Sequence, residues 1–222
     1  MQTIGILGAG KLGITLAQIA TKAGYQVLIA SSKDPQAITL TIEVLAPTAQ
    51  AVTSATAIAK SDVLILAMPL SHYKQVNRQA VKGKIIIDAM NYWWEVDGNR
   101  PELLDKTIST SELVQAYFKE SIVIKALNHM GYHDLADESL LSDTANPLKK
   151  AIAIAGNQRK SINVVKKIIQ AFGFDTVVLA TLHDGIRLQP GTPAFGANVA
   201  EAELRAMIAT TIPGEFQLGQ HN

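Results

Sequence analysis

The sequence predicts an α/β protein built on a doubly wound parallel sheet, and three features of the 222-residue chain support that prediction. Short apolar runs of strand length recur without alternating polar residues, as in parallel strands that helices cover on both faces. Segments with the helical spacing of apolar residues separate these runs. A glycine-rich turn joins the first apolar run to the first helical segment, which is the βαβ arrangement of a nucleotide-binding sheet.

The first 127 residues contain the elements of one such sheet. Strand patterns cover residues 3–7, 27–30, 63–68, 85–89 and 122–127, and helical patterns cover residues 12–23 and 111–119. Gly24 is a natural terminator of the first helix, and either Ser109 or Ser111 can open the later one. We therefore predict a Rossmann-type domain over residues 1–127.

A smaller α/β passage follows in residues 128–222. Strand patterns at 151–155 and 176–179 flank a helical pattern at 161–172, and an alanine-rich helix is predicted at 197–211. Glycines and prolines recur in residues 183–195, which favours a shaped loop. Since no flexible linker separates the two parts, we predict a small C-terminal α/β extension that packs on the first domain and covers its ligand site.

The composition excludes several classes of protein. The formal net charge is +1, from 20 basic and 19 acidic residues, which gives no electrostatic basis for binding nucleic acid. The longest apolar runs are of strand length, below the roughly 18–20 residues of a membrane span. The absence of cysteine excludes disulfides, thiolate catalysis and Cys-ligated metal centres. Because the first strand pattern begins at Gln2, we expect no export signal and a cytoplasmic location.

The turn after the first strand carries a dinucleotide-binding pattern that consists of Gly8, Ala9, Gly10, Lys11, Leu12 and Gly13. In this pattern the first glycine makes the tight turn, the second leaves room for the pyrophosphate, and the third lets the helix pack on the strand. The helix N-terminus then offers backbone N–H groups to the phosphates. A glycine-rich turn without a ligand is the alternative, but the flanking strand and amphipathic helix favour a cofactor site.

The end of the second strand bears on which dinucleotide binds. NAD-binding units usually place an acidic residue about 20 residues after the glycines, where it bonds the ribose 2′-hydroxyl. This strand ends instead in Ser31, Ser32 and Lys33, whose hydroxyl and ammonium groups suit a 2′-phosphate. The sequence therefore favours NADP(H). NAD remains the alternative, because a small shift of the turn would bring Asp34 to the ribose.

Three further strand ends should meet at the same edge of the sheet, where ligands of such folds bind. They carry Met68 and Pro69, then Asn91, and finally Ala126 with Asn128. Pro69 can stiffen a loop beside the nicotinamide, and the backbone around Asn91 can contact its ribose or carboxamide. The sequence shows no obvious acid–base pair at this edge, so no catalytic residue is assigned.

The histidines and tryptophans near this edge have less specific interpretations. His72 is expected to be a solvated loop residue, and the pair Trp93–Trp94 fits a ligand shield and a cover for the core edge equally well. His129 and His133 have i, i+4 spacing, but they lack the intervening pattern of a zinc-binding helix. We therefore predict no metal site.

Six motifs together have a familiar order along the chain. They are ILGAGKLG at residues 6–13, ASSK at 30–33, IIDAMN at 86–91, VIKALN at 123–128, AIAGN at 153–157 and GIRLQPG at 185–191. With these motifs the chain resembles the NADP oxidoreductases that depend on the deazaflavin coenzyme F420, and it is also similar to the reductase domain of the STEAP metalloreductases. The likeness extends over nearly the whole chain.

The resemblance implies that NADP(H) occupies the glycine site, with the Ser31–Ser32 turn on the 2′-phosphate. It also implies that a planar electron carrier, a deazaflavin or flavin, stacks on the nicotinamide near Pro69, Asn91 and residues 127–131. Family members often have Ser-Arg at the phosphate turn, whereas this chain has two serines, which hold a phosphate less firmly. A small-molecule acceptor is thus the expected partner, and the sequence is compatible with a homodimer.

Two other functions stay open at this stage. One is an NADPH-dependent carbonyl or imine reductase related to the β-hydroxyacid dehydrogenases or pyrroline-carboxylate reductase, since Lys125 and Asn128 match a Lys-x-x-Asn pattern. In the β-hydroxyacid dehydrogenases that pattern lies on a helix, whereas here it follows an apolar strand pattern. The other is a non-catalytic module that senses NADP(H). Hydride transfer to a planar acceptor is favoured, because it needs little acid–base help from side chains.

Overall fold

The computed structural model describes residues 2–103, 105, 107–139 and 149–211. In that part of the chain, one sheet of eight strands has the order β3-β2-β1-β4-β5-β6-β7-β8. The strands are β1 (Thr3–Leu7), β2 (Gln26–Ala30), β3 (Gln50–Ala51), β4 (Val63–Leu66), β5 (Ile85–Asp88), β6 (Ile122–Ala126), β7 (Ala151–Ala155) and β8 (Asp175–Val178). The α-helices are α1 (Lys11–Lys22), α2 (Gln36–Leu45), α3 (Ser54–Lys60), α4 (Trp94–Asp97), α5 (Thr110–Tyr117), α6 (Tyr132–Glu138), α7 (Arg159–Ala171) and α8 (Glu201–Thr210).

Strands β1 to β6 are parallel, and their order is that of a doubly wound nucleotide-binding sheet. β7 pairs with β6 in the antiparallel direction, and β8 runs parallel to β7 on its other side. The predicted fold class is therefore confirmed, including the C-terminal α/β extension, which continues the same sheet. The division into domains at residue 127 stays a prediction, because β6 and β7 are hydrogen-bonded across it.

Two apolar layers cover the faces of the sheet, because its strands are apolar on both sides. α1 and α7 pack on one face around Ile6, Ile65 and Ile124, all fully buried. α3 and α5 pack on the other face around Leu64, Ile86 and Val123. A capping box at Ser109 begins α5, so of the two predicted openings Ser109 is the one used.

The last helix is shorter than predicted. The alanine-rich pattern predicts a helix from residue 197, but α8 begins at Glu201. The residues before it are held by the sheet, since the backbone of Ala151 donates to Val199 and Lys150 bridges to Ala200. In the described part of the chain, every helix is too short or too polar to cross a membrane.

Candidate dinucleotide site

The three glycines of the turn after β1 differ in what surrounds them. Gly8 has a φ of +121°, and a Cβ atom there would lie 2.2 Å from the Ala67 carbonyl oxygen. A Cβ atom on Gly13 would lie 1.8 Å from the Gly8 carbonyl oxygen, so α1 packs directly on this turn. A Cβ atom on Gly10 would meet no described atom within 4 Å. The fold itself requires Gly8 and Gly13, whereas Gly10 borders open space.

The N-terminus of α1 faces that open space. Gly10 is the N-cap and offers no side-chain cap, and the first turn carries Lys11 but no acidic residue. Ala9 and Leu12 pack against the core and fix the turn. Free N–H groups at the positive end of a helix attract an anion. The turn thus fits a pyrophosphate, for which the protein would supply backbone donors and no opposing charge.

The turn after β2 is shaped by its own side chains. The Ser31 hydroxyl accepts a hydrogen bond from the Lys33 backbone at 3.1 Å, while Ser32 and Lys33 are exposed. Asp34 accepts a hydrogen bond from the backbone N–H of Gln36 at 2.9 Å, just before α2. The carboxylate of Asp34 thus helps to shape the entry to α2. That Ser31, Ser32 and Lys33 face the ribose position stays a prediction.

Two asparagines join the ends of β5 and β6. The Asn91 side-chain amide donates to the Asn128 carbonyl oxygen at 2.8 Å, and the Asn128 amide donates to the Asn91 side-chain oxygen at 3.0 Å. The Asn128 amide also donates to the Leu188 carbonyl oxygen at 2.7 Å. Between β6 and Asn128, Leu127 adopts a φ of +64°, which turns the chain sharply at this edge. The structure thus brings two predicted residues together and ties them to the C-terminal part.

The remaining predicted residues of this edge differ in exposure. Met68 and Pro69 are half-buried after β4, where a 3₁₀ helix, Leu70–Gln75, begins. Ala126 is fully buried in the core, so its side chain contributes packing inside the sheet. A ligand at this edge would therefore meet Pro69 and Asn91 before it reached Ala126.

A buried ion pair lies directly beneath this edge. The Lys125 ammonium and Asp88 carboxylate are 3.5 Å apart, and both side chains have zero exposure. The Lys125 ammonium also donates to the Met90 carbonyl oxygen at 2.5 Å, and the Ser111 hydroxyl donates to Asp88 at 2.6 Å. Burial lowers the pKa of Lys125, and the Asp88 carboxylate opposes that shift. A charged residue inside an apolar strand was the sequence signal for this pair, but its partner could be found only from the strand register.

Asp97 ties together the loops that follow β4 and β5. One of its carboxylate oxygens accepts from the Ser71 backbone at 2.8 Å, and the other accepts from the Trp93 backbone at 2.9 Å. Trp93 in turn meets Phe195 edge-on, with ring centroids 5.7 Å apart. Asp97 belongs to no motif by which the sequence alone could mark it. Asp97 and Trp93 therefore connect the loop after β4, the loop after β5 and the C-terminal extension.

The three histidines near the site are not arranged as a metal centre, and the described residues contain no cluster of His and acidic side chains suited to one. His72 and His133 are exposed. His129 is buried, and its Nε2 accepts a hydrogen bond from the Ala153 backbone at 3.0 Å. Burial lowers the pKa of His129 to about 4, although the Ala194 backbone opposes the shift. His129 is thus a neutral structural residue that joins β6 to β7.

This neutral histidine makes a testable contribution to stability. Because the pKa of His129 falls from 6.5 in the unfolded chain to about 4 in the folded protein, the unfolded chain binds more protons between these pH values. We expect its contribution to be intact above pH 6.5 and to decline by about 3 kcal/mol as the pH falls to 4. Urea unfolding of wild type and His129→Gln at several pH values isolates this contribution, since Gln can accept the same hydrogen bond without titrating. Parallel pH curves for the two proteins would contradict it.

The fold, the glycine turn and the exposed N-terminus of α1 define a dinucleotide-binding protein of Rossmann type. Residues 3–92 match the family described as NADP oxidoreductase, coenzyme F420-dependent. This match confirms the predicted resemblance and the predicted class, an NADP-dependent oxidoreductase. The likeness to the STEAP reductase domain stays a prediction, and no curated protein matches the chain significantly in sequence.

Solved structures share the fold over most of the chain. A hypothetical protein from Sinorhizobium meliloti is 26% identical with a TM-score of 0.77, and the match covers 90% of this chain and 96% of that one. A candidate F420-dependent NADP reductase from Arthrobacter sp. FB24 is 23% identical with a TM-score of 0.67, covering 82% and 86%. The 3-hydroxyisobutyrate dehydrogenase of Mycobacterium tuberculosis is 18% identical with a TM-score of 0.59, and 57% of its chain is covered.

Proposed function

We propose that this protein transfers a hydride between NADP(H) and a flat, conjugated acceptor such as a deazaflavin or flavin. The observation that carries the proposal is the match of residues 3–92 with the coenzyme F420-dependent family. The geometry supports it, because the glycine turn lies within these residues and Gly10 borders open space at the N-terminus of α1.

The proposed nicotinamide position lies over the ends of β4, β5 and β6, beside Pro69, Asn91 and Asn128. When bound, the reduced nicotinamide supplies the hydride, and the acceptor ring takes up the electron pair. The protein's part is then to hold two flat rings together and exclude water. The Trp93–Phe195 contact and the bond from Asn128 to Leu188 support a cover formed by the C-terminal segment.

The position of Lys125 favours this reaction over reduction of a carbonyl or imine. A carbonyl or imine acceptor generally needs a positioned proton donor. Lys125, the candidate donor from the Lys-x-x-Asn pattern, has zero exposure and points its ammonium at Asp88 and the Met90 carbonyl oxygen. An acceptor with its own conjugated ring needs no such donor.

Oxidation of NADPH tests the proposal directly. The acceptors to compare are oxidised coenzyme F420, FMN, FAD and riboflavin, set against small aldehydes and cyclic imines. We expect turnover with at least one ring acceptor, and we expect His72→Ala and His133→Ala to lower it less than the roughly 100-fold minimum typical of losing a general acid. Turnover confined to aldehydes or imines would support the reductase alternative. NADPH binding without turnover would instead support a sensor.

The turn after β2 predicts a preference for NADPH over NADH. Ser31→Asp should reverse that preference, because a carboxylate repels the 2′-phosphate and bonds the free 2′-hydroxyl. We expect NADPH affinity to fall roughly 10- to 100-fold, the range for losing a hydrogen bond to a charged group. Calorimetry with both cofactors measures this change.

Lys33→Gln is the matched control for Ser31→Asp. It should weaken NADPH binding without improving NADH binding, since it removes a cation from the turn and adds no carboxylate. Equal affinity of the wild-type protein for the two cofactors would contradict the assignment of this turn.

A further inference from the structure

We propose that the buried pair Asp88–Lys125 is a positioning device that sets the loop beneath the nicotinamide, so that Lys125 acts on hydride transfer without touching either ring. This inference rests on the proposed function of the same site. It assigns a role to two charged residues that the dinucleotide fold does not require for binding the pyrophosphate.

Burying an ion pair costs the free energy of hydration of both charges. Two charges with zero exposure have lost their hydration, and apolar residues of similar size often serve stability as well or better. The neighbouring strand positions are apolar, with Ile87 and Ile124 fully buried one residue before each charge. A buried pair at this place is therefore weak evidence for a role in stability and invites a functional explanation.

Both members of the pair form hydrogen bonds with the backbone of Met90. Lys125 donates to the Met90 carbonyl oxygen, and Asp88 accepts from the Met90 backbone N–H at 3.0 Å. The backbone N–H and the carbonyl oxygen of Met90 are thus each held by one member of the pair. The next residue is Asn91, whose side chain bonds Asn128 in both directions.

Residues outside the sheet hold the pair in place. Ser111, at the start of α5, donates to Asp88, and Gly185 lies so close that a Cβ atom there would be 3.3 Å from the Lys125 Cβ. The pair is therefore held between α5 and the 3₁₀ helix His183–Leu188, which contains Gly185. Through its hydrogen bonds to Met90, the pair sets the position of the backbone at the edge where the nicotinamide is proposed to lie.

The test compares cofactor halves in the double variant Asp88→Asn/Lys125→Met. This change removes both charges together and so leaves neither one buried alone. We expect the dissociation constant of 2′,5′-ADP, which reports only the adenosine half, to stay within twofold of wild type. We expect the advantage of NADPH over 2′,5′-ADP to fall at least fivefold, and kcat with oxidised coenzyme F420 to fall at least tenfold.

Lys84→Met is the matched control. Lys84 donates to the Ser61 carbonyl oxygen at 2.8 Å and precedes β5 at the opposite edge of the sheet. Like Lys125, Lys84 donates from its ammonium to a backbone carbonyl oxygen, but it is remote from the proposed nicotinamide position. We expect this variant to keep the wild-type ratio of NADPH to 2′,5′-ADP affinity and the wild-type kcat.

A second pair of variants covers the case in which the double variant does not fold. Ser111→Ala loosens Asp88 and should lower kcat two- to fivefold, whereas Ser121→Ala, which removes a bond to the Val81 carbonyl oxygen at the opposite edge, should not. Unchanged kcat in a folded double variant, or in Ser111→Ala, would overturn the positioning role. Equal loss of 2′,5′-ADP and NADPH binding would overturn it too, and a wild type that fails to bind NADPH would overturn the proposed function itself.

Discussion

Gly10→Val should abolish useful binding of NADPH while leaving the fold intact. The Gly10 backbone is extended, a conformation that valine adopts, and a Cβ atom there meets no described atom within 4 Å. The valine methyl groups would instead occupy the space proposed for the pyrophosphate. We expect affinity for NADPH to fall at least roughly 100-fold, or about 2.8 kcal/mol. The free energy of unfolding should change by less than about 1 kcal/mol, the usual cost of a poor N-cap residue.

Gly13→Ala is the contrasting variant in the same turn. Its Cβ atom would lie 1.8 Å from the Gly8 carbonyl oxygen, so the helix must move away from the strand. We expect a loss of about 3 kcal/mol or more in the free energy of unfolding, at the upper end of overpacking effects. For both variants, calorimetry measures the affinity for NADPH, and urea unfolding measures the free energy of unfolding. If Gly10→Val keeps wild-type NADPH affinity, the glycine turn is only a structural turn.

Lys125→Met should be the most destabilising of these substitutions. It leaves the Asp88 carboxylate with zero exposure and without its cationic partner, and breaking a buried pair in this way typically costs about 3–5 kcal/mol. Urea unfolding at pH 7 measures the change.

The double variant Asp88→Asn/Lys125→Met provides the control for this effect. An amide at residue 88 still accepts from the Met90 backbone, and no unpaired charge remains. We expect it to recover most of the stability lost in Lys125→Met, as coupled neighbours do in a double-mutant cycle. If the loss of stability in the double variant equals the sum of the losses in Asp88→Asn and Lys125→Met, the two residues do not act as a pair.

Most of the sheet could be predicted from the sequence, because parallel strands covered on both faces are apolar runs with a recognisable length. The positions of β1, β2 and β4 to β8 along the chain follow those runs, whereas the antiparallel pairing of β7 with β6 could not be predicted from them. α2 escaped prediction since Leu40 and Val44 are 73% and 69% exposed, so its apolar residues do not mark a buried face. β3 is only two residues long and has no pattern of its own.

The candidate site could be predicted where a local pattern carries the chemistry, and not where the chemistry depends on contacts between distant residues. The distinct surroundings of Gly8, Gly10 and Gly13 follow from one motif and one turn. The Asp88–Lys125 pair requires the register of two strands that are 37 residues apart in sequence. Asp97 could not be found either, because its function is to satisfy two backbone N–H groups from separate loops.

Because β7 is reversed, the helix that follows it begins at the other edge of the sheet. β7 runs against β6, so the turn at Gln158 before α7 lies at the opposite edge of the sheet from the glycine turn before α1. Gln158 is exposed, and its side chain caps nothing in α7. For a redox protein this geometry offers a handle for orientation. A linker to an electrode or resin attached at residue 158 would turn the proposed cofactor site outward, toward the solution.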